Sequence, residues 1–204
     1  EVLVSHTLIH DPENPKKLPE DGYGEVTFDH VSFRYPGAEE DVLHDISFTA
    51  KPGQTTAFIG STGSGKSTLV NLIPRFYDVT EGKITLDGED IRNITQHELR
   101  DKLGYVPQKG ILFSGDIASN ILYGNPDGSE EDMKEAATIA QATEFIEAKK
   151  KKYQSSISQG GSNVSGGQKQ RLSIARAIAK HPKIYIFDDS FSALDYKTDV
   201  TLRN

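Results

Sequence analysis

Residues 60 to 68, Gly60-Ser61-Thr62-Gly63-Ser64-Gly65-Lys66-Ser67-Thr68, satisfy the spacing G-x-x-x-x-G-K-[ST]. Each residue type there has a chemical reason. Glycines let the backbone close around phosphate oxygens, with successive N–H groups pointing inward as an anion nest. A helix starting near Gly65 adds the positive end of its dipole. Lys66 supplies a point charge to the β- and γ-phosphates, and the Ser67 hydroxyl can ligate Mg²⁺. The ligand that fits this chemistry is a nucleoside triphosphate carrying its metal ion.

Two further clusters bear on the same chemistry. The apolar run Ile184 to Phe187 ends in adjacent carboxylates, Asp188 and Asp189. A carboxylate after a strand can serve as a helix cap or turn residue, or it can hold a Mg²⁺ water. With the phosphate loop upstream, the metal role is the expectation for Asp188. Ser165-Gly166-Gly167-Gln168 opens an amphipathic stretch running to Lys180. Ser165 is a good N-cap and the glycines leave helix-start amides uncovered, so the residues fit either a capped helix or a second anion site. Taken singly, Tyr35 reads as ordinary strand packing and Gln108 as a surface amide.

The elements that must position these residues are visible as patterns. Alternation from Glu25 through Val26, Phe28, Val31 and Phe33 predicts a half-buried strand, and Leu43 to Phe48 a second, ending at Lys51-Pro52-Gly53. Thr55 to Ile59 is a β-rich run leading into Gly60, and Leu69 to Ile73 a helix stopped by Pro74. Lys83 to Leu86 predicts a strand closed by Asp87-Gly88. The Ala-, Glu- and Lys-rich span Glu130 to Lys152 predicts helix. Leu172, Ala175, Ile178 and Ala179 share one face of a helix that ends before Pro182, and Ile184 to Phe187 reads as a buried strand. Strands alternating with helices imply an α/β core with parallel strands, and the early alternating strands an antiparallel sheet beside it.

Composition narrows the class. The chain has 204 residues, enough for one domain or one domain with an inserted subdomain. With 23 Lys+Arg against 30 Asp+Glu, its net charge of -7 argues against a protein whose main work is holding nucleic acid. The absence of Cys excludes a disulfide scaffold, a thiolate metal site and a cysteine nucleophile. Apolar stretches fall far short of a membrane span. Residues 1–24 read as a linker, stiffened by Pro12, Pro15 and Pro19 and kept solvated by Asp11, Glu13, Lys16, Lys17 and Asp21.

The run Val164-Ser165-Gly166-Gly167-Gln168, followed by Lys169-Gln170-Arg171-Leu172-Ser173, resembles the signature of ABC ATPases, with Val where Leu is commoner. The resemblance covers about Glu25 to Asn204 and implies a RecA-like P-loop core, an antiparallel β subdomain and an inserted α-helical subdomain at approximately 109–165. It assigns Tyr35 to stacking on adenine, Gln108 to contacting Mg²⁺ and sensing the γ-phosphate, and Ser192-Ala193-Leu194-Asp195 to the D-loop. It also implies that Ser165 to Gln168 close over ATP held by another domain's phosphate loop, in a head-to-tail pair.

Phe33 to Asp45, the Pro-studded linker and the spacer between Gln108 and Ser165 resemble bacterial ABC exporters. The implied partners are a second ABC ATPase domain and the coupling helices of a transmembrane domain preceding the linker on the same polypeptide. Gln159 to Asn163 resembles the segment that cross-talks with that domain, while Lys149 to Lys152 read as a solvated helix end. The implied location is the cytoplasmic face of the cell membrane, and no nucleic-acid partner is expected. A regulator that binds nucleotide without hydrolysis, and an ABC ATPase acting on nucleic acid, are the competing readings.

Two departures from the family stand out. The residue after the strand Asp is normally Glu, which polarises the attacking water; here it is Asp189, one methylene shorter. General-base catalysis contributes about 10²–10⁴-fold, so this site is expected to hydrolyse slowly. Asp189 beside an intact Ser165 corner resembles the degenerate-site half of heterodimeric multidrug-type exporters, which favours a heterodimer. The family's switch histidine follows the D-loop, yet none of the six His lies after Asp195. The C-terminal part of the core is therefore expected to lie beyond Asn204.

Overall fold

The computed structural model describes residues 8–191. Its antiparallel sheet begins with β1 (Val26–Phe33) and β2 (Leu43–Ala50), paired through Phe28↔Phe48 and Phe33↔Leu43 with irregularities between. Helix α1 (Lys66–Leu72), strand β3 (Glu81–Leu86) and the short β4 (Glu89–Asp90) follow. The sheet order is β2-β1-β3-β4. Alternation explains why these strands form: Val26, Phe28, Val31 and Phe33 are all buried, as are Ile84 and Leu86 on the neighbouring strand. Phe28 stacks on Phe48 with ring centroids 4.6 Å apart.

Helix α2 (Gln96–Asp101) is capped by Thr95, whose hydroxyl accepts from the Glu98 amide, and buries Leu99. Strand β5 (Leu103–Val106) stands where the chain divides into two compact units, at Leu103/Gly104. Beyond it come β6 (Gly115–Asp116), α3 (Ile117–Ile121), α4 (Glu130–Ile139), α5 (Thr143–Glu147), β7 (Ser156–Ile157), α6 (Gly166–Ala179) and β8 (Ile184–Phe187). β5 pairs with β8 and β6 with β7. The second unit has its own core, in which Leu112, Ile117, Ile121, Ile146, Leu172 and Ala175 are fully enclosed.

Residues 8–24 form no helix or strand, yet three of the charges expected to keep them solvated hold specific partners. The Asp11 carboxylate accepts from the Gln96 amide at 2.8 Å. The Lys16 amide donates to the Asn93 carbonyl, and its ammonium meets Glu89. Lys17 pairs with Glu98, which also accepts from the Leu18 amide, and the Leu18 side chain is buried. These segments fall on the first unit because a leucine and several backbone donors need somewhere to go.

Three expectations change. Thr55 to Ile59 carries no strand among the described residues, and Ile59 is 97% exposed. A strand exists only where a neighbour shares its hydrogen bonds, and propensity cannot supply that neighbour. Glu130 to Lys152 is two α-helices rather than one. Gln141 adopts a left-handed φ of 56°, the Ala142 amide reaches back to the Ala137 carbonyl and the Gln141 amide to Thr138, which is a Schellman stop. The strand at Ile184 to Phe187 is only partly buried, with Ile186 enclosed but Tyr185 and Phe187 exposed.

Candidate functional site

The phosphate loop lies in the first unit. Gly63 has φ 83° and Gly65 φ 90°, left-handed values at which a side chain would be strained. Gly65 caps α1, and no side-chain hydrogen bond caps the helix start. The Lys66 ammonium donates to the carbonyls of Gly60 at 2.8 Å and Ser61 at 2.7 Å, so it sits on the inner side of the loop's curve. Exposed amides, glycine conformations and a cation at one focus fit a polyphosphate, the donor set such an anion requires. Ser67 opens the helix beside Lys66.

Tyr35 joins this loop through its hydroxyl, which shares a 2.7 Å hydrogen bond with the Thr68 hydroxyl. Its ring meets the edges of Phe33 and Tyr77 at centroid distances of 4.9 Å and 5.2 Å. The structure thus brings Tyr35 and Thr68 together and fixes the ring's orientation by aromatic packing.

In the second unit Gln108 meets one of the two expected carboxylates. The Gln108 amide donates to Asp189 Oδ2 at 3.3 Å. Asp189 has φ 43°, an uncommon conformation for a side-chain-bearing residue and one that clusters at functional sites. The Asp188 amide donates to the Val106 carbonyl, which anchors the carboxylate turn to the end of β5. Tyr105 on that strand has its hydroxyl pushed up to about 12, by burial and then by the negative charge of Asp188.

The serine-glycine corner starts α6 as a reciprocal cap. The Gln168 amide donates to the Ser165 hydroxyl at 3.2 Å, and the Ser165 amide donates to the Gln168 side-chain carbonyl at 3.2 Å. Gly166 is exposed, and a side chain added there would meet nothing within 4 Å. Ser192 to Asp195 lie outside the described residues.

Sequence reasoning missed three residues that shape the second unit. Ser190 is fully buried and its hydroxyl donates to the Val106 carbonyl at 2.6 Å. Gln170, 1% exposed, accepts from the Gly110 amide at 2.8 Å and donates to the Pro107 carbonyl at 3.1 Å. Its signal was a polar residue on a buried helical face, three and seven positions ahead of Ser173 and Ala177. Arg176 donates to the Ile111 carbonyl and to both the carbonyl and side-chain oxygen of Asn120, beneath the stacked rings of Phe113 and Tyr123. Burial pulls this guanidinium below its usual basicity.

Comparison with known proteins places the chain in one family. The family described as "ABC transporter" matches residues 43–192, and the chain belongs to it. Among relatives, an uncharacterized ABC transporter ATP-binding protein of Mycobacterium tuberculosis is 51% identical over 203 residues, covering 98% of this chain and 34% of the relative. A Bacillus subtilis ABC transporter ATP-binding protein is 47% identical over 179 residues, covering 88% of this chain and 31% of the relative. The solved structure of a bacterial Atm1-family ABC exporter with ATP bound superimposes with a TM-score of 0.92 at 39% identity, covering 98% of this chain and 35% of that one. The chain therefore spans about a third of the length of the relatives it matches. None of the helices among the described residues is long and apolar enough to cross a membrane.

Proposed function

We propose that this chain is the ATP-binding and ATP-hydrolysing motor domain of an ABC exporter, working in a head-to-tail pair on the cytoplasmic face of a membrane. The observation that carries the reading is the glycine loop of an ABC family member, with left-handed Gly63 and Gly65 and the Lys66 ammonium turned into its curve. In it, Tyr35 stacks on adenine, the amides and hydroxyls from Gly60 to Thr68 hold phosphates, and Ser67, Gln108 and Asp188 hold Mg²⁺. When bound, Mg²⁺ neutralises developing charge on the phosphates. Ser165 to Gln168 serve the ATP of the partner domain, and Ser192 to Asp195 are read as the D-loop.

Asp189 in this reading is the group that polarises the attacking water. Its carboxylate is one methylene shorter than glutamate and engages the Gln108 amide. A base set back by about an ångström loses most of its advantage, so this site turns over slowly while its partner's site works. A heterodimer is favoured over a homodimer, with this chain's loop holding ATP as a longer-lived clasp. Residues 1–24 lead from a membrane domain to an ATPase domain at 25–204, whose helical part, approximately 109–165, faces the coupling helices. The exposed Phe113-Tyr123 pair, fixed over Arg176, is an apolar surface suited to such docking.

The test uses the full-length protein with its partner. Lys66→Ala should abolish MgATP binding at this loop, and Asp189→Glu should raise turnover by this chain's own site at least tenfold, measured in a pair whose partner site has been inactivated. Undiminished ATP affinity in Lys66→Ala would overturn the nucleotide reading. Unchanged turnover in Asp189→Glu would overturn the slow-site reading, and no turnover at all in the paired full-length protein would leave a domain that binds nucleotide as a regulator.

A further inference from the structure

The loop carrying Gln108 is held on both flanks by one buried amide. Gln170 lies in the second turn of α6, and its side chain spans the loop at its base: the Gly110 amide donates to its oxygen, and its nitrogen donates to the Pro107 carbonyl. Gly110 presses against the helix closely enough that an added Cβ would stand 2.8 Å from the Lys169 carbonyl oxygen and 2.8 Å from the Ser173 hydroxyl. Only glycine permits that approach. The Pro107 carbonyl also faces the Ser190 hydroxyl at 3.4 Å, so the turn after Asp189 meets the same atom that Gln170 grips. Gln108 is thus carried on a short segment with no slack, clamped to the helix that begins at the Ser165 corner.

We propose that Gln170 is a positioning residue for the metal-binding role of Gln108, registering that amide to the start of α6. A buried polar side chain with both hydrogen-bonding ends satisfied fixes one geometry, and helix geometry transmits a shift of the Ser165 corner to Gln170 within two turns. An anion seated on the corner by a partner domain would then alter where this chain's Gln108 stands. The proposal rests on the reading of Gln108 as a Mg²⁺ contact and names what controls it.

The experiment measures binding of a fluorescent ATP analogue to the full-length protein over a Mg²⁺ titration. Variants are Gln170→Met, which keeps volume and removes both hydrogen bonds, Gln170→Glu, which keeps the acceptor for Gly110, Gln108→Ala, and the Gln170→Met/Gln108→Ala pair. Metal-free affinity should stay within about twofold in Gln170→Met and Gln170→Glu. The Mg²⁺ midpoint should rise at least threefold in Gln170→Met, less in Gln170→Glu, and no further in the pair than in Gln108→Ala alone. Hydrogen exchange at the Gly110 amide should quicken in Gln170→Met. A normal Mg²⁺ midpoint in a folded Gln170→Met, or additive effects in the pair, would overturn the proposal. A normal midpoint in Gln108→Ala would overturn it from the other side, by removing the metal role of Gln108 while leaving the Lys66 loop intact.

Discussion

The side chains with the most consequence per atom are neutral amides. Asn120 is 1% exposed, accepts from the Phe113 amide, donates to the Phe113 and Asp116 carbonyls, and accepts from Arg176. Asn120→Ala removes four hydrogen bonds, two accepted and two donated by its buried side chain. With about 1–3 kcal/mol lost for an unsatisfied buried group, a cost of at least about 2 kcal/mol is expected. Thermal unfolding of the variant should fall by roughly 4–8 °C; a shift under about 2 °C would show the network to be dispensable. At this scale the motif residues were readable because Gly, Lys, Ser and Asp at fixed spacing have few other uses. Gln170, Asn120 and Ser190 were not, because a buried amide or hydroxyl declares itself only once its partners are found. The contact of Gln108 with Asp189 joins residues 81 apart in sequence, and no local pattern encodes it.

Among elements, the legible ones carry their own start signals. α4 begins at Ser129, whose hydroxyl accepts from the Asp132 amide while Asp132 accepts from Ser129, and three acidic residues fill its first turn. Ser129→Ala should cost about 1 kcal/mol in a denaturant titration. The end of α4 was illegible because Gln141 is no usual helix stop; Ala140 and Ala142 are both fully buried, and packing against them sets the break. Gln141→Gly should therefore be neutral or stabilising by up to about 1 kcal/mol, opposite to the effect of glycine inside a helix. A loss above about 1 kcal/mol would contradict the left-handed stop. Thr55 to Ile59 illustrates the reverse case, strong β character with no ladder among the described residues. The antiparallel strands, by contrast, were evident from alternation, and β1 pairs with its sequence neighbour β2; the pairing of β1 with β3, on the far side of α1 in sequence, has no local signal.

For the molecule as a whole, acidity and the fastening of residues 8–24 are linked. A hydrogen bond from the Gln96 amide holds Asp11 below its ordinary 3.8, and one from the Leu18 amide, with Lys17, holds Glu98 below its ordinary 4.5. Carboxylates depressed in this way contribute stability above their ordinary values and lose it as the pH falls through the lowered ones. Amide exchange at Lys16 and Leu18, corrected for intrinsic rate, should therefore stay slow down to about pH 4.5 and quicken below it; protection unchanged at pH 3 would refute the link. The same fastening closes a circuit. Asp11 holds Gln96, Gln96 accepts from Arg100, Arg100 donates to the carbonyls of Pro74 and Arg75, and Arg75 donates back to the His10 carbonyl. Tension on the backbone at His10 is thus delivered within three residues of the far end of the helix that opens at Lys66. One unbroken chain of hydrogen bonds ties His10 and Asp11 to the turn that follows the helix opening at Lys66.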